Sequence, residues 1–121
     1  MLNVKKLLTK LLTIESGTAT KSNANISSVE FAYWYKCGRV VVLRLNFTVG
    51  TAISDSTATL FTDIPKAYAP IRSTVCKVNA VSAGNIIARL EVNDTSIKNA
   101  YTSGGIPAAQ YEGEIVYFTK A

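Results

Sequence analysis

Few side chains in this sequence could carry out nucleophilic or acid–base chemistry. It contains no histidine, and its two cysteines, Cys37 and Cys76, have only Lys36 and Lys77 as charged neighbours in the chain. A catalytic thiol or hydroxyl needs a base to activate it, and these lysines are typical of strand ends. We therefore expect no nucleophilic catalysis.

Two carboxylates, Glu112 and Glu114, are the other candidates for chemistry. Their i, i+2 spacing puts them on one face of a strand, whereas a glycosidase needs its two carboxyl groups facing each other across a cleft. We expect a solvated or interface edge, no enzymatic activity and no cofactor. Cys37 and Cys76 lack metal-ligand spacing, so no metal site is expected, and the sequence leaves open whether they form a disulfide.

The net charge of +5 is concentrated near the N-terminus. Lys5, Lys6 and Lys10 supply three of the charges, and residues 14–121 carry ten basic and eight acidic groups. Nucleic-acid binding domains gather their cations on one surface. The arginines here are dispersed, so no nucleic-acid partner is expected: they are Arg39, Arg44, Arg72 and Arg89.

Residues 1–14 repeat apolar side chains with the period of a helix. Successive a and d positions of a heptad are filled by Val4, Leu7, Leu11 and Ile14, and Leu8 and Leu12 widen the stripe. The pattern predicts a short amphipathic helix, which is marginal in water on its own. Its leucines could pack on copies of themselves, which predicts trimerisation, or on the chain's own body, or the helix could fray.

Residues 15–25 are rich in Ser, Thr, Gly and Asn without periodicity, which predicts a linker. The preceding segment does not read as a signal peptide, because Lys10 interrupts its apolar run. Nor does any stretch approach the roughly 20 apolar residues that cross a bilayer. We expect a soluble protein made in a cytoplasm, with no membrane partner.

Residues 26–121 read as one β domain. Residues 40–49 alternate most clearly and predict an inward face, formed by Val41, Leu43, Leu45, Phe47 and Val49. The predicted strands are 26–35, 40–49, 58–62, 74–81, 85–92, 96–101 and 112–119. Seven short strands without helices between them predict an antiparallel β-sandwich. The 48% hydrophobic content and mean hydropathy of +0.19 favour an oligomer.

Aromatic and turn residues are the candidates for binding. Tyr33, Trp34 and Tyr35 form the densest aromatic group, which could stack on sugar rings or belong to the core or a subunit interface. Tyr101 precedes a Ser-Gly-Gly loop whose glycines would allow a ligand close to the backbone. Turn chemistry explains the polar members equally well. The predicted ligand-binding residues are Asn93, Asp94, Tyr101, Ser103, Gly104 and Gly105.

The stretch ATLFTDIPKAYAPIR, residues 58–72, joins two alternating segments through a Pro-aromatic-Pro turn. It follows YKCGRVVVLRLNFTVG and precedes NIIARLEVNDTSIKNAY. Over about residues 30–119 the order of these elements resembles the C-terminal head domains of bacteriophage tail-fibre and receptor-binding proteins. The longer members carry a shaft or anchoring domain, and here the short helix stands in its place.

The resemblance implies a jelly-roll sandwich that forms a homotrimer in the tail or fibre of a virion, encoded by a phage or prophage. It implies an adhesin head, synthesised in the bacterial host cytoplasm, that binds a cell-surface saccharide without hydrolysing it and that contacts other virion proteins. The alternative is a structural virion or fibre-tip trimer with no ligand of its own.

Overall fold

The computed structural model describes residues 14–82, 86–100 and 105–119. Their regular secondary structure is β, apart from one 3-10 turn at Lys66–Tyr68. Within them, no helix is long and apolar enough to cross a membrane. The strands are β1 Ile14–Thr18, β2 Thr20–Lys21, β3 Ile26–Cys37, β4 Val40–Val49, β5 Thr59–Thr62, β6 Thr74–Ala80, β7 Ile87–Asn93, β8 Ser96–Asn99 and β9 Ala109–Phe118.

The seven predicted strands are confirmed as β3 to β9. In β4 the alternation of apolar and polar residues places every second side chain in the core, and Leu43, Leu45 and Phe47 are fully buried. The core spans both halves of the sheet, because the Phe47 ring meets Phe61 of β5 at 5.4 Å between centroids. The predicted inward face of β4 is therefore correct.

All nine strands belong to one antiparallel sheet, in the order β1-β3-β4-β9-β6-β7-β8-β5-β2. Its two edge strands are consecutive in the chain, with Ala19 alone between them, and the Ala19 N–H donates to the Ala32 carbonyl. The sheet therefore curls until its edges meet and is nearly closed, like a barrel. The predicted all-β antiparallel class is confirmed, and all nine strands are hydrogen-bonded into one continuous sheet.

The stretch expected to be a linker, residues 15–25, contains strands. Ile14–Thr18 pairs with β3, and Thr20–Lys21 pairs with β5. Serine and threonine are compatible with these edge strands, because most of the strand residues are exposed and no apolar alternation is required. The predicted helix over residues 1–14 lies outside the described residues except for Ile14, which begins β1.

Each of two register shifts in β3, between Ile26 and Ser28 and between Val29 and Phe31, reverses which side chains face inward. After the second shift Trp34 is buried, and Phe31, Tyr33 and Tyr35 lie on the outer face.

The Trp34 ring packs over Gly17 of β1, its register partner. A Cβ at residue 17 would lie 2.4 Å from the ring. On another side the ring meets Tyr68 at 4.7 Å between centroids. The only tryptophan of the chain is thus a core residue rather than an exposed stacking platform.

The curled sheet has two ends, which we call the base and the far end. The base holds Ile14, the Gly38–Arg39 turn, residues 63–73 and the β7–β8 turn, as the register and the bond from the Ile64 N–H to the Thr95 carbonyl show. The far end holds residues 50–58 and Gly105, where Ile53 and Ile106 form a β-bridge. Ile14, the first described residue, therefore lies at the base.

Candidate functional site

Asn93 and Asp94 lie in the turn between β7 and β8, at the base. Asn93 pairs with Ser96 across the hairpin, and Asp94 has a φ of 54°, in the left-handed region that Asp and Asn adopt more readily than most residues. The Asn93 amide donates to the Glu91 carboxylate at 3.2 Å. Turn geometry thus accounts for an aspartate at position 94. Asn93 and Asp94 also line the surface groove that is described below.

Of the other four predicted binding residues, the structure describes only Gly105, which lies at the far end. Tyr101, Ser103 and Gly104 lie outside the described residues. Gly105 is described, and the space beside its Cα is occupied by the Ile53 backbone, since a Cβ there would lie 2.0 Å from the Ile53 carbonyl oxygen. The absence of a side chain at Gly105 therefore makes room for the Ile53 backbone rather than for a ligand.

The predicted residues do not form one constellation. In the β7–β8 hairpin Asn99 pairs with Leu90, three residues beyond the pair that closes the turn. At about 3.4 Å per residue, the chain leaves β8 toward residue 101 roughly 10 Å from Asn93. Asn93 and Asp94 belong to the base, and Gly105 belongs to the far end.

One groove, the base groove, lies beside the β7–β8 turn and has a volume of about 570 Å³. The 3-10 turn and the segment after it form its other wall. Its charged side chains are Lys66, Arg72 and Asp94. Its full lining is Lys66, Ala67, Ala69, Pro70, Ile71, Arg72, Ser73, Asn93 and Asp94.

A second groove, the β8 groove, runs from Asn93 toward the far end and has a volume of about 460 Å³. It offers hydroxyl, amide, ammonium and carboxylate groups, which are the groups that hydrogen-bond sugar hydroxyls. It reaches Ala100, the residue immediately before Tyr101 in the chain. Its lining is Ser56, Thr57, Glu91, Asn93, Lys98, Asn99 and Ala100.

The rim of the β8 groove is held in place by a hydrogen-bonded turn. The Asp55 carboxylate accepts the Thr57 N–H at 2.8 Å and the Thr57 hydroxyl at 2.9 Å. The buried Asn99 side chain donates to the Asp55 carbonyl at 2.9 Å, which ties the turn to β8. A ligand would therefore meet a preorganised edge and would spend little free energy on ordering it.

The Thr57 hydrogen bonds hold the pKa of the Asp55 carboxyl below its ordinary value of 3.8. A carboxyl whose folded pKa is lowered stabilises the structure above the unfolded pKa, and this contribution disappears as the pH falls through the folded pKa. We expect the Thr57 amide resonance to move with a midpoint below pH 3.8 in an NMR titration. An Asp55→Asn variant should show no such transition, and a midpoint at or above 3.8 would contradict the assigned role of the turn.

The two carboxylates considered for catalysis lie on the outer face of β9, exposed to solvent. Glu114 approaches Arg44, with Oε1 and Nε 3.6 Å apart. Cys37 and Cys76 form no disulfide. Cys76 is half-buried, on the same face of β6 as the buried Val78 and Ala80.

The arrangement of strands has a solved counterpart. Over 97% of this chain and 71% of the other, the receptor binding protein (gp15) of Listeria phage PSA superposes with a TM-score of 0.72 at 18% sequence identity. The chain shares the fold of a phage receptor-binding protein. This confirms, at the level of fold, the resemblance predicted from the order of sequence elements. No protein-family model matches the chain, and no match was found among curated proteins.

Sequence reasoning missed most of the β8 groove. Ser56, Thr57, Glu91 and Lys98 come from a turn and two strands that only the fold brings together. One local signal was available, since Asp55 two residues before Thr57 is a typical Asx-turn sequence. Nothing in the sequence indicated that Asn99 would hold this turn against β8.

Proposed function

We propose that this chain is the head domain of a phage or prophage adhesin that binds a bacterial cell-surface saccharide without hydrolysing it. The observation that carries the proposal is the β8 groove, which hydroxyl, amide, ammonium and carboxylate groups line. The groove lies on a fold that this chain shares with a protein described as a receptor binding protein. Hydrogen bonding in a shallow groove suits recognition of hydroxyl-rich ligands. The exposed Glu112 and Glu114, side by side on one strand face, do not resemble a pair of hydrolytic carboxylates.

The proposal includes the assembly and the location. We place the chain in the tail or fibre of a virion, after synthesis in the bacterial host cytoplasm, as a jelly-roll homotrimer with contacts to other virion proteins. Weak single sites in a trimer would gain avidity by engaging several saccharides at once. The proposed trimer contact uses Val4, Leu7, Leu11 and Ile14, and light scattering would measure its mass against the 13.0 kDa chain.

Ligand residues are proposed in and beside the β8 groove. Lys98 and Glu91 face each other across the β7–β8 register and would bind hydroxyl or charged substituents. Tyr101 follows the groove in the chain and supplies the ring for stacking on a sugar. Asn93 contributes from the other end of the groove.

Substitution of groove residues tests the function. Lys98→Ala is expected to weaken binding to a glycan array and to host cells about tenfold, because hydrogen bonds to charged groups contribute more than neutral ones. Tyr101→Ala should abolish adhesion. Lys77→Ala is the matched control: Lys77 is exposed on β6, outside the groove, and its loss should leave binding unchanged.

Three outcomes would contradict the proposal. If the unmodified protein binds no glycan and no cells, the structural-trimer alternative replaces it. If all three variants bind equally well, the saccharide site lies elsewhere. Release of reducing sugar from a bound glycan would contradict the absence of hydrolysis.

A further inference from the structure

Two cations face each other on the outer surface of β6 and β7. Lys77 and Arg89 are register partners in this antiparallel pair, and both side chains are exposed. Side chains at directly opposite positions have their Cβ atoms about 4.5–5.5 Å apart, and like charges there destabilise a sheet. The position of this pair is therefore better suited to holding an anion than to stabilising the strands.

The carboxylates on the outer face of the adjoining strands do not neutralise this pair by direct contact. They are Glu91 of β7 and Glu112 and Glu114 of β9. Glu91 accepts the hydrogen bond from the Asn93 amide at 3.2 Å, and Glu114 approaches Arg44 at 3.6 Å. Within the described residues, none of the three lies within 4.0 Å of either cation. Both cations therefore lack an ion-pair partner in this part of the chain.

The two cations line one depression in the surface, which we call the cationic depression. It has a volume of about 640 Å³, and its lining is Val75, Cys76, Lys77 and Arg89. The described residues that line it include no carboxylate. Val75 is 45% exposed and gives the depression one apolar side. A ligand that joins an anionic group to a small apolar part fits this lining.

The sheet holds the backbones of the two cations at a fixed spacing. β6 and β7 pair over six consecutive residues without a register shift. Ala88 and Leu90, on either side of Arg89, are buried in the core, as is Val78 beside Lys77. Only the two side chains then have to be ordered when an anion binds, which lowers the free-energy cost of binding.

We propose that the cationic depression binds the anionic oxygens of a phosphate or carboxylate group, with Arg89 as a bidentate donor and Lys77 as the second cation. The planar guanidinium matches two oxygens of either group, and the ammonium adds a point charge. The bound anion offsets the repulsion between the two cations. The lining shares no residue with the β8 groove, so this inference does not depend on saccharide binding.

An NMR titration of the isotope-labelled full chain with inorganic phosphate tests the proposal. Sodium chloride keeps the ionic strength constant, so general screening does not change. We expect saturable amide shifts at Val75, Lys77 and Arg89. Arg89→Gln and Lys77→Gln each remove one charge and should raise the phosphate concentration at half-saturation about tenfold, the effect of losing one charge-assisted hydrogen bond. Arg72→Gln is the matched control: it removes an exposed arginine outside the depression and should leave that concentration unchanged.

Two further anions show which kind of molecule supplies the group. Methyl phosphate stands for a phosphate ester on a larger molecule, and acetate stands for a carboxylate. Saturable shifts of the same residues with either anion would support the proposal for that class of group, and shifts with inorganic phosphate alone would support it for the free ion. Shifts that do not saturate, that survive in both the Arg89→Gln and the Lys77→Gln protein, or that are lost in Arg72→Gln would overturn it. The titration contains no saccharide, so its result is independent of the test of the β8 groove.

Discussion

Replacing Phe47 with alanine is expected to lower the free energy of unfolding by about 3–5 kcal/mol, the usual cost of removing a buried aromatic ring. Phe47 is fully buried and contacts Phe61 at 5.4 Å and Tyr111 at 5.8 Å between ring centroids. Its loss would leave a cavity where β4 and β9 meet β5 across the core. Urea unfolding followed by the fluorescence of Trp34 would measure the change.

Two controls separate this effect from a general sensitivity of the sheet. Phe47→Leu keeps most of the apolar volume and should cost clearly less. Glu112→Ala changes an exposed side chain on the neighbouring strand and should stay within about 0.5 kcal/mol. If Phe47→Ala were as mild as Glu112→Ala, the inward face of β4 would be assigned incorrectly.

Adding one methyl group at Gly17 is expected to cost about 1–3 kcal/mol, the range for overpacking a filled core. The new Cβ would lie 2.4 Å from the Trp34 ring, which is held on another side by Tyr68. The ring would have to move, or β1 would have to separate from β3. Gly17→Ala should therefore lower the unfolding midpoint and also shift the native emission of Trp34.

Ser16→Ala is the matched control for Gly17→Ala. Ser16 is the preceding residue of β1, exposed and paired with Tyr35 on the outer face, so its substitution should change neither the midpoint nor the emission. An unchanged Trp34 emission in Gly17→Ala would show that β1 does not pack against this ring as described.

Strong alternation made much of the fold predictable from sequence. Residues 40–49 bury one face and expose the other, so the strand and its inward side chains follow directly from a period of two. Ala88, Leu90 and Val92 of β7 are likewise buried at alternate positions. In each of these strands every second residue is apolar and buried, and the sequence pattern records that inward face.

The pattern failed where the strand itself is irregular or has no buried face. Val29 and Phe31 would share a face in a regular strand, but the bulge between them leaves Val29 against the core and turns Phe31 outward. Ile14–Thr18 and Thr20–Lys21 bury little, so their composition indicated a linker. Their place in the sheet depends on the partner strands β3 and β5 rather than on their own composition.

The candidate site was less predictable than the core. Asn93 and Asp94 were predicted as polar loop residues that could bind a ligand, and both line a groove. The β8 groove depends on Thr57 and Lys98 meeting across a hydrogen-bonded turn that Asn99 anchors. Such a surface arises when tertiary packing brings together residues that are distant in sequence, so the local sequence predicts little of it.

The most direct test of the proposed function is an NMR titration of the isotope-labelled protein with a saccharide that binds it on the array. We expect amide shifts to change at Thr57, Glu91, Lys98 and Ala100, along the β8 groove, and to remain unchanged at Arg72 in the base groove. The Lys98→Ala protein should need about tenfold more saccharide for the same changes. Shifts confined to the base groove, or no shift at any saccharide concentration, would contradict the account.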